Sequence, residues 1–295
     1  MSTKRILLII GGLFAILLLL LAGSLALGRL LFKGDDGSFA DTPGVGLVEV
    51  KGMIVDSREP IRQLRYFLKK DTVKAVVLRI DSPGGVVGPS QEIYEEVRRL
   101  AAKKKVVVSM GSLAASGGYY IAAPATEIYA NPGTITASIG VLIKFSNIEG
   151  LLNKVGIKSS TIKAGAFKDA GSPDRPLSAE DRAMFQAVID STHEQFIRAV
   201  AEGRRLPIEE VRRIADGRVL SGEQAKALRL VDKLGNLQDA LAEAGRLAGL
   251  GDDPEVLLPP KKKVNYLDLL AGGAEEHFSG VLNKVVGRGL QVSYE

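Results

Sequence analysis

The sequence predicts an α/β protein with mostly parallel strands, and three observations carry that prediction. β-Branched runs, Lys74-Ala-Val-Val-Leu-Arg-Ile80 and Val106 to Met110, have the composition of strands buried on both faces. Between them, Gln91 to Lys103 has the spacing of an amphipathic helix. Clusters of glycine and proline, such as Asp81-Ser-Pro-Gly-Gly85, mark the boundaries. Strand and helix alternate repeatedly, as a parallel sheet with crossover helices requires.

Ile6 to Leu27 is a run of 22 residues without a charge. As a helix it reaches about 33 Å, enough to cross the hydrocarbon core of a bilayer. Lys4 and Arg5 precede it, and Arg29 and Lys33 follow, so flanking charge does not set its orientation. A short tail before a first apolar helix stays inside, and a long following domain is exported. Ala22-Gly23-Ser24 also offers a cleavage site for a signal peptide. The expected organisation is a cytosolic stub and transmembrane anchor over 1–33, a Gly/Asp/Ser/Pro linker over 34–44, a catalytic domain over 45–250 and a C-terminal tail over 251–295.

Within the domain, Gly46 to Val50 reads as a strand. Ser57 to Lys69 reads as a helix with Ile61, Leu64 and Leu68 on one face. A glycine-flanked turn after Val106 to Met110 leads into a helix from about Ser116 to Ala123. Glu127 to Ala130 and Thr134 to Leu142 are expected strands, Phe145 to Val155 a helix and Ile157 to Lys163 a strand. Ser178, followed by Glu180 and Asp181, starts a long helix reaching about Glu202. Pro207 opens a short helix, and further helical segments lie at 222–228 and 236–248. Leu267 to Val286 has helical character interrupted by Gly272 and Gly273.

Composition removes several kinds of chemistry. The 295 residues contain no cysteine, which excludes disulfides, zinc thiolates and thiol catalysis. The net charge of +5 is spread among acids, with few aromatics and no basic stripe, so no nucleic-acid partner is expected. Lys261-Lys262-Lys263 reads as a solvated segment or a contact for anionic lipid. The two histidines, His193 and His277, stand alone and read as surface residues, which gives a Ser-His-Asp triad little support and a histidine metal site still less.

Gly111-Ser-Leu-Ala-Ala-Ser116-Gly-Gly-Tyr119 sets a serine among small residues at a helix start. Small neighbours let a substrate backbone approach, and the following Gly117 amide can donate to an oxyanion. Ser116 is thus either a helix cap or a nucleophile. Asp81-Ser-Pro-Gly-Gly85 ends a strand at the edge where α/β sheets gather ligands, and is either a tight turn or a second source of amides. A serine needs a base, and a neutral, desolvated lysine can serve. Lys168, preceded by Ala164-Gly-Ala-Phe167, is the candidate; Lys163 is its rival, and the adjacent Asp169 would hold the amine charged if it pointed inward.

Four segments together resemble the signal peptide peptidase A family in its short bacterial form: Asp81-Ser-Pro-Gly-Gly85, Ser109 to Tyr120, Gly133 to Gly140 and Gly165 to Pro173. The resemblance covers about residues 45–250 and the anchor. It implies a Clp protease/crotonase-like spiral of ββα units preceded by one N-terminal transmembrane helix. It further implies Ser116 as nucleophile, Lys168 as general base, Ser138 as the serine orienting the lysine amine, and the amides of Gly85 and Gly117 as the oxyanion hole. Members assemble into rings in which neighbouring subunits complete the site, sit on the outer face of the bacterial inner membrane, clear signal peptides and other short or unfolded chains, and use no metal or organic cofactor. Two other readings share the motifs: a crotonase-type acyl-CoA enzyme and an inactive scaffold.

Overall fold

The computed structural model describes residues 42–260, the backbone of Ser293–Tyr294 and scattered positions between 11 and 24. The chain divides into two units, Met1–Asp41 and Thr42–Glu295. Among the described residues no helix is long and apolar enough to cross a membrane. The run Ile6 to Leu27 falls largely outside them, as do Lys261 to Lys263, the segment Leu267 to Val286 and His277.

In the second unit, β1 (Gly44–Lys51) leads through Ser57 into α1 (Arg58–Lys69). Leu64 and Phe67 on its inner face are fully buried, each contributing about 1.5–3 kcal/mol by leaving water. β2 (Val73–Ser82) and the short β3 (Gly85–Val86) follow, then α2 (Val87–Ala101), whose Ile93, Val97 and Leu100 are buried. β4 (Lys105–Ala115) runs five residues beyond the β-branched segment and delivers the chain to α3 (Gly117–Ala122). β5 (Glu127–Ala130) and β6 (Ile135–Ala137) come next, and α4 (Glu149–Lys154) stands in a largely exposed stretch. The long α5 (Ala179–Arg204), α6 (Ile208–Ile214), β7 (Val219–Ser221), α7 (Gly222–Ala227), β8 (Lys233–Leu234), α8 (Leu237–Leu247) and β9 (Val256–Leu257) complete the domain.

All the strands but β3 form one mixed sheet, ordered β7-β6-β4-β2-β1-β9 along its main path. β1 pairs with β2 and β9, and β2 with β4, all in parallel. β4 forks: Val107 to Ser109 pair with β5, while Leu113 to Ala115 pair with β6. β5 continues to β8 in parallel, whereas β7 meets β6 antiparallel. Val45, Ala75, Val77 and Val107 pack with Ala240, Leu241 and Ala244 of α8 on one face. By alternation, Val76, Leu78, Ile80, Val106 and Val108 face the other side, where α1, α2 and α3 pack. Tyr120 of α3 lies 4.8 Å, ring to ring, from both Tyr94 of α2 and Phe196 of α5, tying three helices together.

Three expected elements differ. The strand expected over Thr134 to Leu142 ends at Ala137, because Ala137 and Ser138 both take positive φ, 63° and 50°. The helix expected from Phe145 shortens to α4. No strand forms over Ile157 to Lys163; every side chain there is exposed and the segment joins no neighbouring strand.

Candidate active site

The fork in β4 builds the site. Six residues of β2, Ala75 to Ile80, pair regularly with Lys105 to Met110; the next pairing is Ser82 with Ala114, so β4 bulges at Gly111 to Leu113. Asp81 fills the bulge: its Oδ1 accepts the Leu113 N–H at 3.1 Å. A Cβ at residue 111 would lie 2.8 Å from the Asp81 Cγ, so this turn requires glycine. Beyond the bulge, β4 turns onto β6 and ends at Ser116.

Ser116 takes φ 55°, ψ −121°, a conformation that costs a non-glycine residue about 1–3 kcal/mol. Its N–H donates to the Ala137 carbonyl at 2.8 Å, and its own carbonyl accepts from the Tyr120 N–H at 2.8 Å. The residue is completely buried, and its Oγ has no hydrogen-bond partner. A buried unsatisfied hydroxyl costs a further 1–3 kcal/mol or so. Ser116 therefore does not act as a side-chain cap for α3. Backbone strain and an unpaired hydroxyl at one residue both work against stability.

Two glycines meet beside it. A Cβ on Gly117 would lie 3.3 Å from the Gly85 nitrogen and 2.6 Å from the Ser90 Oγ. A Cβ on Gly85 would lie 2.3 Å from the Ile54 carbonyl oxygen. Only residues without side chains let these backbones pack, and the packing brings the Gly85 amide to the residue that follows Ser116. Ile54 N–H donates to Gly84 O at 2.7 Å and Val86 N–H to Ile54 O at 2.8 Å, fixing the loop. On the other edge of β3, Ser293–Tyr294 pairs antiparallel, Tyr294 opposite Gly85 and Ser293 opposite Val86. The outer edge of β3 is thus paired with an extended segment of the chain.

Ser138 follows directly from the pairing of Ala115 with Ala137, which sets residues 116 and 138 side by side at the strand ends. It is buried; its N–H donates to Arg218 O at 2.9 Å and its Oγ to Gly217 O at 3.5 Å. The fold of one chain therefore gathers Ser116, Ser138, Gly85 and Gly117.

It does not bring Lys168 to the serine: the Ser116 Oγ bonds to nothing, and Lys168 is exposed rather than desolvated. Small, apolar neighbours in sequence do not guarantee burial; Lys168 sits in turns, its N–H donating to Gly165 O at 3.2 Å, on a segment whose Ile162 and Phe167 are 100% and 47% exposed. The rival Lys163 is occupied by the Asp169 carboxylate and the Ala166 carbonyl. His193 is not an ordinary surface residue: it is half-buried, with its Nε2 enclosed and unpartnered. The sequence reading also missed Ser90, whose Oγ bonds Val86 O at 2.9 Å while abutting Gly117. No sequence signal marked that close approach. Among the described residues no group of three or more His, Cys, Asp or Glu side chains could hold a metal.

The profile of peptidase family S49 matches residues 98–251, just over half the chain. The chain belongs to this family. The S49 segment runs from α2 through Ser116 to the end of α8, and the Clp protease profile matches residues 52–136. The sheet and flanking helices are accordingly a Clp protease-like α/β fold. Among S49 relatives, a Synechocystis protein provisionally named as a protease is 45% identical over 227 residues, covering 76% of this chain and 82% of that protein. Protease 4 of Salmonella typhi is 39% identical over 237 residues, 74% of this chain and 38% of that protein. Serine protease SPPA, chloroplastic, of Arabidopsis thaliana is 31% identical over 245 residues, 82% of this chain and 35% of that protein. The chain thus spans little more than a third of the last two. It is a serine peptidase.

Proposed function

We propose that this S49 peptidase uses Ser116 as nucleophile and Lys168 as general base, and that the two meet between subunits of a homo-oligomeric ring. The observation that carries the reading is Ser116: strained, buried, its hydroxyl idle, with the amides of Gly85 and Gly117 beside it. In this mechanism the Lys168 amine takes the Ser116 proton as Oγ attacks a peptide carbonyl. The Gly85 and Gly117 amides donate to the oxyanion, Lys168 returns the proton to the leaving amine, and water releases the acyl group. Ser138 orients the lysine amine. A neighbouring subunit supplies both the lysine and the surface that desolvates it, which accounts for an exposed Lys168 and the exposed apolar side chains of Leu151, Ile162 and Phe167.

Substrate peptide adds as an extended strand to the β3 edge, in the manner in which Ser293–Tyr294 lies there, so backbone bonds rather than side chains dominate recognition. Such a site suits short or unfolded chains, and cleaved signal peptides are the proposed substrates. The apolar run Ile6 to Leu27 is the proposed single-pass anchor in the bacterial inner membrane, with the catalytic domain on the extracytoplasmic side. The decisive experiment is labelling with a fluorophosphonate probe and mapping of the adduct. Modification of Ser116, absent in Ser116→Ala, is the expected result; an adduct elsewhere, or none with an actively hydrolysing protein, overturns the assignment.

A further inference from the structure

The residue after the proposed base is a carboxylate, and an aspartate turned toward Lys168 would keep its amine charged. The structure shows what holds Asp169 elsewhere. Arg175 grips it with two bonds, Nε to Oδ2 at 3.0 Å and Nη2 to Oδ1 at 3.0 Å, and Lys163 pairs with Oδ1 as well. The same guanidinium reaches on through Nη1 to Asp181 Oδ2 at 2.5 Å and to Pro176 O at 3.0 Å. Asp181 is buried in the first turn of α5, where it closes a reciprocal cap with Ser178. A chain of fixed contacts therefore runs from the backbone of the Lys168 turn to the body of the domain.

Resting on the reading of Lys168 as base, we infer that Arg175 is a positioning residue for it: the Asp169–Arg175–Asp181 bridge anchors the lysine turn on α5 and turns the neighbouring carboxylate away from the amine. The charged groups around Asp169 are Lys163, Arg175 and Asp174 from its own segment and Asp181 from α5. Arg175 first, and Lys163 second, hold the Asp169 carboxyl well below the ordinary range, so it is anionic at neutral pH. Once released, it would be the nearest anion in sequence to Lys168. Arg175 is a planar fork bonding two carboxylates at once, a task that a lysine ammonium can only half perform.

The test compares Arg175→Ala, Arg175→Lys, Asp169→Asn and the double variant Arg175→Ala/Asp169→Asn, with Lys168→Ala as reference, in full pH–rate profiles on one peptide. Arg175→Ala is expected to lower kcat about 10- to 100-fold with little change in KM. A lysine base makes activity rise into the alkaline range, and Arg175→Ala should move that rise higher, because a carboxylate held by Lys163 alone can turn to stabilise the charged amine. Arg175→Lys restores part of both. Asp169→Asn and the double variant lose rate without that displacement, since no anion is released. The position of the rise does not depend on the fraction of protein folded, so instability of a variant leaves the readout intact. An inert Lys168→Ala beside an unmoved rise in Arg175→Ala, or a rise displaced equally in the double variant, removes this inference alone. Turnover by Lys168→Ala removes the dyad and this inference with it.

Discussion

Ser116 departs from stable design in two ways, and both can be measured. Deleting its hydroxyl removes a buried group that bonds to nothing, so Ser116→Ala should abolish peptide hydrolysis while melting no lower than the parent. A lower Tm by calorimetry would show that the hydroxyl has a partner after all. On the proposed role of Ser138, Ser138→Ala should leave measurable turnover, because it would remove an orienting bond rather than a reacting group. Gly117→Ala should cost far more than its single methyl suggests, because the new Cβ would lie 2.6 Å from Ser90 Oγ and press on the Gly85 amide. At this scale much was legible: the small residues around Ser116 and the glycines at 84–85 announce backbone contact. The exposure of Lys168 was not, because Ala164 to Phe167 describe its covalent neighbours, while burial is decided by surfaces far off in sequence or on another chain.

α5 shows what an element contributes. Ser178 accepts from the Asp181 N–H at 3.1 Å and the Asp181 carboxylate accepts from the Ser178 N–H at 3.2 Å. Ser178→Ala should therefore cost about 1 kcal/mol in urea unfolding at neutral pH. Asp169 and Asp181 both have folded pKa values below their ordinary ones, caused first by Arg175. Depressed carboxylate pKa values contribute stability above the unfolded pKa, about 3.9, and lose it as pH falls toward the folded values. The stability difference between the parent and Arg175→Met should accordingly shrink as urea unfolding is followed from pH 7 down to about pH 2. A difference that stays constant with pH would dissociate the bridge from the stability of α5.

Local chemistry announced these boundaries closely: Ser178 caps α5 as composition predicts, and Pro207, expected at the first helical position, stands one residue before α6. Ile157 to Lys163 misled, because three β-branched residues within an exposed segment carry strand propensity but find no neighbouring strand. β7 was unreadable for the opposite reason, since three residues acquire strand identity only through β6.

For the whole molecule, the proposal puts Ser116 and Lys168 of one site on neighbouring subunits. If subunits share sites, inactive Ser116→Ala and inactive Lys168→Ala chains mixed during assembly should recover up to about a quarter of parental activity, on the expectation that random neighbours complete some sites. Complete inactivity of a verified mixed assembly would place both groups in one chain. Leu151→Glu together with Ile162→Glu should reduce particle size in sedimentation and activity in parallel, since both side chains lie exposed on the segment carrying Lys168. The parallel sheet was legible from alternating runs, but the fork of β4 was not. A single strand that changes neighbours halfway requires the bulge at Gly111 to Leu113, and only the partner strand reveals it.

Ala137 and Ser138 stand consecutively in left-handed backbone, and no glycine relieves either. Exchanging Ala137 for glycine would release a penalty of about 1 kcal/mol, more than the added freedom of the unfolded chain takes back. The same exchange would let the peptide that receives the Ser116 N–H swing more freely. Hardiness and turnover would then move in opposite directions from one methyl group: a protein that survives hotter and cuts more slowly.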